Sequence, residues 1–520
     1  MFSKVKGYDE ITSSSDEDEA KSLKEVFSEK SPLVVKQTPV EARTSTQQDV
    51  GREPHGDTFK GTQYFAALVV TIGGFIVGTT VGWSSPAGPL LENNHYGFNV
   101  TEENVSWIAA LVPFGALLGC PAIGGLVDKL GRKNMMIILT APTFIGWAMI
   151  IWAQSVVWIY VGRILTGFAS GSYSVIVPLY TSEIADKEIR GTLGNYFQLQ
   201  VNLGILFIYI LGCYFDVFGL SVACAIVPLI YLCFLVLIPE SPFFYLMKGD
   251  VDNARLSLRF FRGRLYNIEP ELNTMQKSLA KTERERVPTI EAFQTKPAKR
   301  GLIVGLGSMF FQQFTGCNAI IFYATAIFTA TGSKIQSSTS TVIVGVMAVI
   351  STYISTLVVD KLGRKILLLF SVVSMGICTF LIGGFFYLKD SNYNISSIAF
   401  IPLVSLCIFI IAFSIGFGPI PWMMIGEIFP AQIKGISSSI VCMSNWFFAF
   451  LVTKFFLTLV SAIFIYNTFF LFTFFSLLGI FFVILIVPET KGKTMEEIQL
   501  LLGADPVLPE NIENQNEIQG

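Results

Sequence analysis

The pentapeptide Asp-Lys-Leu-Gly-Arg stands twice in this chain, at Asp128–Arg132 and at Asp360–Arg364. Each copy ends a long apolar run and is followed by Lys and another apolar run. A repeat of such mixed chemistry marks two related halves, each with the same charged turn between two segments of membrane length. A spanning helix needs about 20 apolar residues. Lipid offers no partner for unpaired backbone groups, so repeated runs of this length fold as helices packed on helices. Twelve runs qualify, near 62–82, 105–127, 134–153, 156–180, 193–213, 219–238, 301–328, 338–359, 366–388, 399–424, 436–459 and 465–487. They are numbered here as spans one to twelve. The expected fold is all-α: twelve transmembrane helices in two six-helix bundles, the architecture of a membrane transporter.

Composition agrees, with 52% hydrophobic and 14% charged residues against roughly 25% charged in soluble chains. The organisation reads as a disordered tail over 1–60, a first bundle over 61–238, a linker over 239–300, a second bundle over 301–487 and a polar tail over 488–520. The first tail carries the acidic stretch Ser13–Glu19 and has no apolar core of a cleavable signal. In the linker, the spacing of Ala254, Leu258 and Phe261 predicts a short amphipathic helix.

With an internal N-terminus, all but four of the 36 Lys and Arg residues fall in internal segments. The exceptions are Lys334, Lys389, Lys454 and the intramembrane Arg163. That bias makes the basic loops and both termini cytoplasmic. The sequons at Asn99, Asn104 and Asn394 then fall in external loops, as glycan acceptors. The eight Cys lie within or at the edges of apolar runs, and the two His, His55 and His95, lie outside them. Neither set has metal-ligand spacing, so no metal or other cofactor is expected. No nucleophile, phosphate loop or repeated selectivity filter is present, which argues against an enzyme or a channel. Nucleic acid is not an expected partner; the bilayer and a small substrate are.

Further punctuation repeats at the inner edge. Glu183 and Arg190 follow span four, and Glu427 and Lys434 follow span ten at the same separation. Pro239-Glu-Ser-Pro242 follows span six, and Pro488-Glu-Thr490 follows span twelve.

These residues resemble the sugar porter family of the major facilitator superfamily over about residues 62–495. The motifs that carry the resemblance are Gly162-Arg163, Pro239-Glu-Ser-Pro242, Gln312-Gln-Phe-Thr-Gly-Cys-Asn318, Gly418-Pro-Ile-Pro-Trp422 and Pro488-Glu-Thr-Lys-Gly492. Within that family, Gly82-Trp-Ser-Ser-Pro86 and Ser414–Trp422 look most like insect facilitated trehalose transporters and related animal facilitative glucose transporters. The resemblance implies two bundles around a central cavity, alternating access, and plasma-membrane sugar transport by a single chain. It implies that Gln198, Gln312, Gln313, Asn318, Trp422 and Trp446 meet sugar. Amides offer donors and acceptors to hydroxyls, and indoles offer a flat apolar face. It also implies that Asp128, Arg132, Glu183 and Arg190, with Asp360, Arg364, Glu427 and Lys434, form an inner-edge lattice that holds the halves together when the site faces outward.

Some positions depart from the family pattern. Ala348 and Ala449 replace amides, Ser414 replaces a Glu frequent in the glucose transporters, Phe243 replaces a basic residue, and Lys434 replaces Arg. The pocket thus has fewer polar arms than a typical hexose site, and the expected substrate is trehalose, a range of hexoses such as glucose, or both. Sugar symporters of the family carry an Asp in span one where Thr80 stands here. Without that group the expectation is facilitative uniport, the alternatives being a proton-coupled symporter or a weakly transporting sensor. Lys454, near the external end of span eleven, is expected to snorkel.

Overall fold

The computed structural model describes residues 59–92, 97–186, 188–263, 266–284, 293–332, 335–429, 433–493 and 495–503. The acidic stretch Ser13–Glu19, both His residues and Lys334 lie outside them.

The described residues are helical almost throughout. Span one comprises Gly61–Gly82 and Ser84–Glu92, span two Glu102–Leu130, span three Arg132–Ile151, span four Val156–Ile184, span five Arg190–Leu211 and span six Val217–Leu235. In the second half, span seven is Lys296–Phe314 plus Cys317–Thr331, span eight Ser337–Leu362, span nine Arg364–Asp390, and span ten Ile401–Ile415 plus Ile420–Ile428. Spans eleven and twelve run as Lys434–Leu485, reversed at Phe464, where φ is +68°. Nine helices among the described residues are long and apolar enough to cross a membrane. The last of these holds two spans, and spans four and five fall short because they carry Arg163 and the polar run Asn195, Gln198, Gln200 and Asn202.

The halves pack by one plan. Span two lies on four, one on five and three on six; correspondingly eight lies on ten, seven on eleven and nine on twelve. The bundles meet through span two on eleven, five on eight, and one on seven. This is the major facilitator fold.

The repeated turn explains itself. Gly131 and Gly363 have φ of +97° and +91°, in the region that strains any residue with a Cβ. A Cβ would also meet the carboxylate of Glu240 at 2.4 Å or of Glu489 at 2.8 Å. Those carboxylates cap the helix that each turn begins. Glu240 accepts the Lys133 backbone N–H at 2.9 Å. Glu489 accepts those of Arg364 and Lys365 at 3.0 Å each. Helix starts carry unpaired N–H groups and favour negative charge, which is the physical use of Pro-Glu-Ser and Pro-Glu-Thr here. In the linker a helix spans Val251–Arg262, with Ala254, Leu258 and Phe261 buried. Arg262 ties it to Glu271 (2.6 Å) and to the Ile184 carbonyl (2.9 Å) at the end of span four.

Candidate functional site: the central residues and the two gates

At the inner edge, Arg132 grips both oxygens of Glu183 at 3.1 Å through Nε, and Oε1 again at 2.9 Å through Nη2. The Ser241 hydroxyl donates to the same carboxylate, and Asp128 adds a 3.1 Å contact to Arg132 from the solvent side. The second half repeats the unit: Arg364 donates to Glu427 at 3.0 Å, and the Thr490 hydroxyl donates to its other oxygen. Both ion pairs close within one half. Two further expected members of the lattice make no ion pair with it. Arg190 is exposed at the start of span five, and Lys434 donates to the Gly426 carbonyl at 2.7 Å. The Asp360 side chain lies outside the described residues.

The two Glu caps differ electrostatically. Desolvation pushes the Glu240 carboxyl above its ordinary value despite its backbone donors. Desolvation pushes Glu489 the same way, but the backbone N–H groups of Lys491, Arg364, Lys365 and Thr490 outweigh it, and its carboxyl ends below the ordinary value.

At mid-span, spans seven and ten are broken. Gly316 (φ +93°) separates the two parts of span seven, and Gly416–Pro419 separates those of span ten. Breaks free backbone groups that lipid cannot satisfy. Gln312 repairs one of them: its amide N–H groups donate to the carbonyls of Phe417 (2.6 Å) and Gly418 (3.1 Å), and its oxygen accepts from Asn445 of span eleven. Gln312, expected to meet sugar, has its amide engaged in holding spans seven, ten and eleven together. Gln313 and Asn318 pair with each other across the break, Asn318 donating at 2.6 Å, which leaves the Gln313 N–H groups with no protein acceptor. Gln198 is half-buried on span five. Trp422 and Trp446 are half-buried. The Trp446 indole N–H meets no oxygen or nitrogen acceptor and turns toward the Cys120 sulfur of the other half.

Among the described residues, four sets of hydrogen bonds join the halves from mid-span toward the end that bears Asn99 and Asn394. Asn202 donates to Thr352 at 2.6 Å. Tyr209 donates to the Ile321 carbonyl at 2.7 Å. Ser85 contacts Thr325 at 3.0 Å through its hydroxyl and accepts the Thr325 backbone N–H at 3.1 Å. Lys454 donates to Ser106 at 2.8 Å. The ion pairs at the other end close within each half, whereas these bonds join the halves.

The Trp83-Ser-Ser run has three separate uses. Trp83 donates to Ser221 at 3.1 Å and lies under the Arg163 guanidinium at 4.9 Å. Ser84 accepts from Arg163 at 2.6 Å. Ser85 makes the cross-half contact. Arg163 is fully buried, and its Nε donates to the Ile108 carbonyl at 3.1 Å.

Residues 66–502 match the family model described as "Sugar (and other) transporter". The chain belongs to the sugar porter family of the major facilitator superfamily. The transporter is 40% identical over 453 residues to the facilitated trehalose transporter Tret1 of Aedes aegypti, covering 87% of this chain and 56% of that protein. It is 39% identical to the Bombyx mori protein of the same name, covering 88% and 90%. This chain thus spans little more than half the length of the mosquito relative and most of the silkworm one. Among solved structures it resembles the xylose transporter XylE from E. coli in a partially occluded inward-open conformation. The TM-score is 0.71 at 24% identity, with 83% of this chain and 99% of that one covered. XylE, described as a proton:xylose symporter and bound to 6-bromo-6-deoxy-D-glucose, matches equally at 25% identity, with 85% and 99% covered.

The sequence reading missed the bonds between halves. Asn202 had a visible signal, one helical turn after Gln198 and so on the same face. Ser85, Tyr209 and Lys454 had none, because their partners come from the other half. Lys454 is corrected from its expected snorkelling: it is 8% exposed and points into the interface between bundles. Asn104 also differs from a plain acceptor site. Its side-chain oxygen accepts from the Thr101 backbone N–H at 2.9 Å, and its amide donates to Tyr160 at 2.8 Å, forming the cap of span two.

Proposed function

We propose that this transporter carries trehalose, hexoses or both down their own gradient by alternating access, releasing the sugar chemically unchanged. It works as a single chain in the plasma membrane with both termini cytoplasmic. The observation that carries the reading is the break in span seven. It sets Gln313 and Asn318 side by side, with amide hydrogens left over, in the same mid-span region as the Trp446 indole N–H. Unspent neutral donors of this kind are costly in a membrane interior unless a hydroxylated ligand takes them up. Gln198 and Trp422 complete the proposed site. Trehalose is included because the insect relatives are named for it.

Uniport is favoured over proton coupling by span one. Thr80 is buried and its hydroxyl is used on the Ile76 carbonyl at 2.9 Å, so no group there cycles a proton. Arg163 rests against neutral oxygens and a ring. Uptake of labelled trehalose, glucose and fructose into liposomes holding the purified protein tests both points. Sugar should equilibrate without an imposed proton gradient. Accumulation above the outside concentration that a protonophore abolishes would overturn uniport. Failure to carry any of the three would overturn the substrate reading.

A further inference from the structure

Lys454 is a cation that the transport reading leaves without a use, and its surroundings are unusual. It lies on span eleven, buried, and reaches across to span two of the other half. There its Nζ donates to Ser106 Oγ at 2.8 Å and sits 4.4 Å from the centre of the Trp107 ring. Ser106 is fully buried, and its own hydroxyl hydrogen is given to the Glu103 carbonyl at 2.9 Å. Its oxygen therefore turns its lone pairs toward the ammonium. On the inner side of this contact Trp107 and Phe114 both pack against Phe450, one turn before Lys454.

We propose that Lys454, with Ser106 and Trp107, is a reversible outer latch that holds the carrier closed on the outside and opens when the site turns outward. The partners decide the character of the latch. A hydroxyl and a ring face, with the exposed Glu103 carboxylate acting from farther off, hold a cation far less firmly than a buried carboxylate would, and they lose little when water replaces them. The cation regains hydration as the outer side opens, so the contact favours one state without trapping it. A simple lipid-facing lysine would have its head in water, not buried against the opposite bundle.

The inference rests on alternating access but not on any particular sugar, and its test needs none. Ala324 is buried at the outer seam against Ile205 and Tyr209. In intact cells an Ala324→Cys protein, with the exposed Cys213 and Cys233 changed to Ser, is labelled from outside by a membrane-impermeant maleimide. The same protein with Ala324 intact supplies the background. Lys454→Met and Trp107→Leu should each speed labelling on the order of five-fold, the scale of one desolvated cation–ring contact. The double variant should label no faster than the faster single one. Lys454→Arg should keep the parent rate. Ser106→Asp should slow labelling, because a carboxylate tightens the same latch. Should Lys454→Met prove poorly folded, Ser106→Asp and Lys454→Arg still decide. Parent-rate labelling in monodisperse Lys454→Met protein, or faster labelling in Ser106→Asp, overturns the latch. Failure of sugar uptake with these labelling shifts intact would overturn the substrate reading instead.

Discussion

The two halves share a plan but not a construction. In the first, helices touch backbone to backbone. A Cβ on Gly78 would lie 2.0 Å from the Val201 carbonyl, and one on Gly119 would lie 2.2 Å from that of Phe168. Small residues let membrane helices pack this closely, where the hydrophobic effect gives little drive between them. In the second half, many corresponding contacts are filled by side chains. Gly305 faces Val441, Gly307 faces Phe482, and Phe310, Phe314, Phe448 and Phe475 form one ring cluster. That half also carries the breaks in spans seven and ten, and with them the free amides. The difference teaches how one repeat can serve two tasks. The tightly seamed half is the reference frame, and the half packed by adaptable side chains tolerates the broken helices that expose polar groups.

Four experiments break or sharpen this comparison. The largest effect is expected at Gly78→Val. Its side chain would collide with backbone that cannot yield, so monodisperse protein should be lost, beyond the roughly 1–3 kcal/mol usual for overpacking. Gly305→Ala, whose Cβ would meet side chains only, a Val441 methyl at 2.9 Å and the Phe429 ring at 3.6 Å, should keep its melting temperature within a few degrees. Equal loss in both would erase the contrast between the halves.

Next come the adjacent amides. Gln312→Leu strands two carbonyls and Asn445, so it should lower thermal stability by about 1–3 kcal/mol, the penalty for unpaired buried groups. Gln313→Leu should leave the melting curve close to the parent and weaken sugar binding by about ten-fold, roughly one lost hydrogen bond. A melting loss at Gln313 with normal sugar affinity would reverse the two roles.

A smaller effect separates the two Glu caps by pH. The Glu489 carboxyl lies below the ordinary 4.5 in the folded protein. The stability it contributes is thus present above that pH and is lost as pH falls through the lower folded value. The Glu240 carboxyl lies above 4.5, so its contribution is complete below 4.5 and fades as pH rises through the folded value. Hydrogen exchange, corrected for intrinsic rate, should show protection at Lys365 falling under acid below pH 4.5. The Lys133 amide should not lose protection between neutrality and 4.5. Parallel loss at both would mean that burial does not distinguish the caps.

The smallest effect concerns glycans. Asn99 and Asn394 are exposed, one in each half, whereas the Asn104 amide serves a helix cap. Asn99→Gln and Asn394→Gln should each remove one step of glycosidase-sensitive gel mobility, and Asn104→Gln should remove none. A glycan lost with Asn104 would show that the cap forms after modification.

Much of this was legible in the residues. Twelve apolar runs and a repeated charged turn imply two related helical bundles, because lipid permits little else. Pairing of Arg132 with Glu183 and of Arg364 with Glu427 was legible only as membership of a set. Whether those pairs lie within a half or between halves depends on which side is sealed, and no local pattern encodes that. The adjacent Gln312 and Gln313 looked alike in sequence. Their roles diverge because one faces the broken span ten and the other faces Asn318.

Alone, then, the sequence determined the number of spans, their pairing into repeats, the side that bears the basic loops and the kind of chemistry in the middle. These follow from period, length and composition, which act along the chain. Only the tertiary structure decided which amides are spent and which remain for a ligand. It alone brought Lys454 to Ser106 and Trp107. Those outcomes depend on contacts between residues hundreds of positions apart, where a buried polar group's use is set by whatever faces it across the interface.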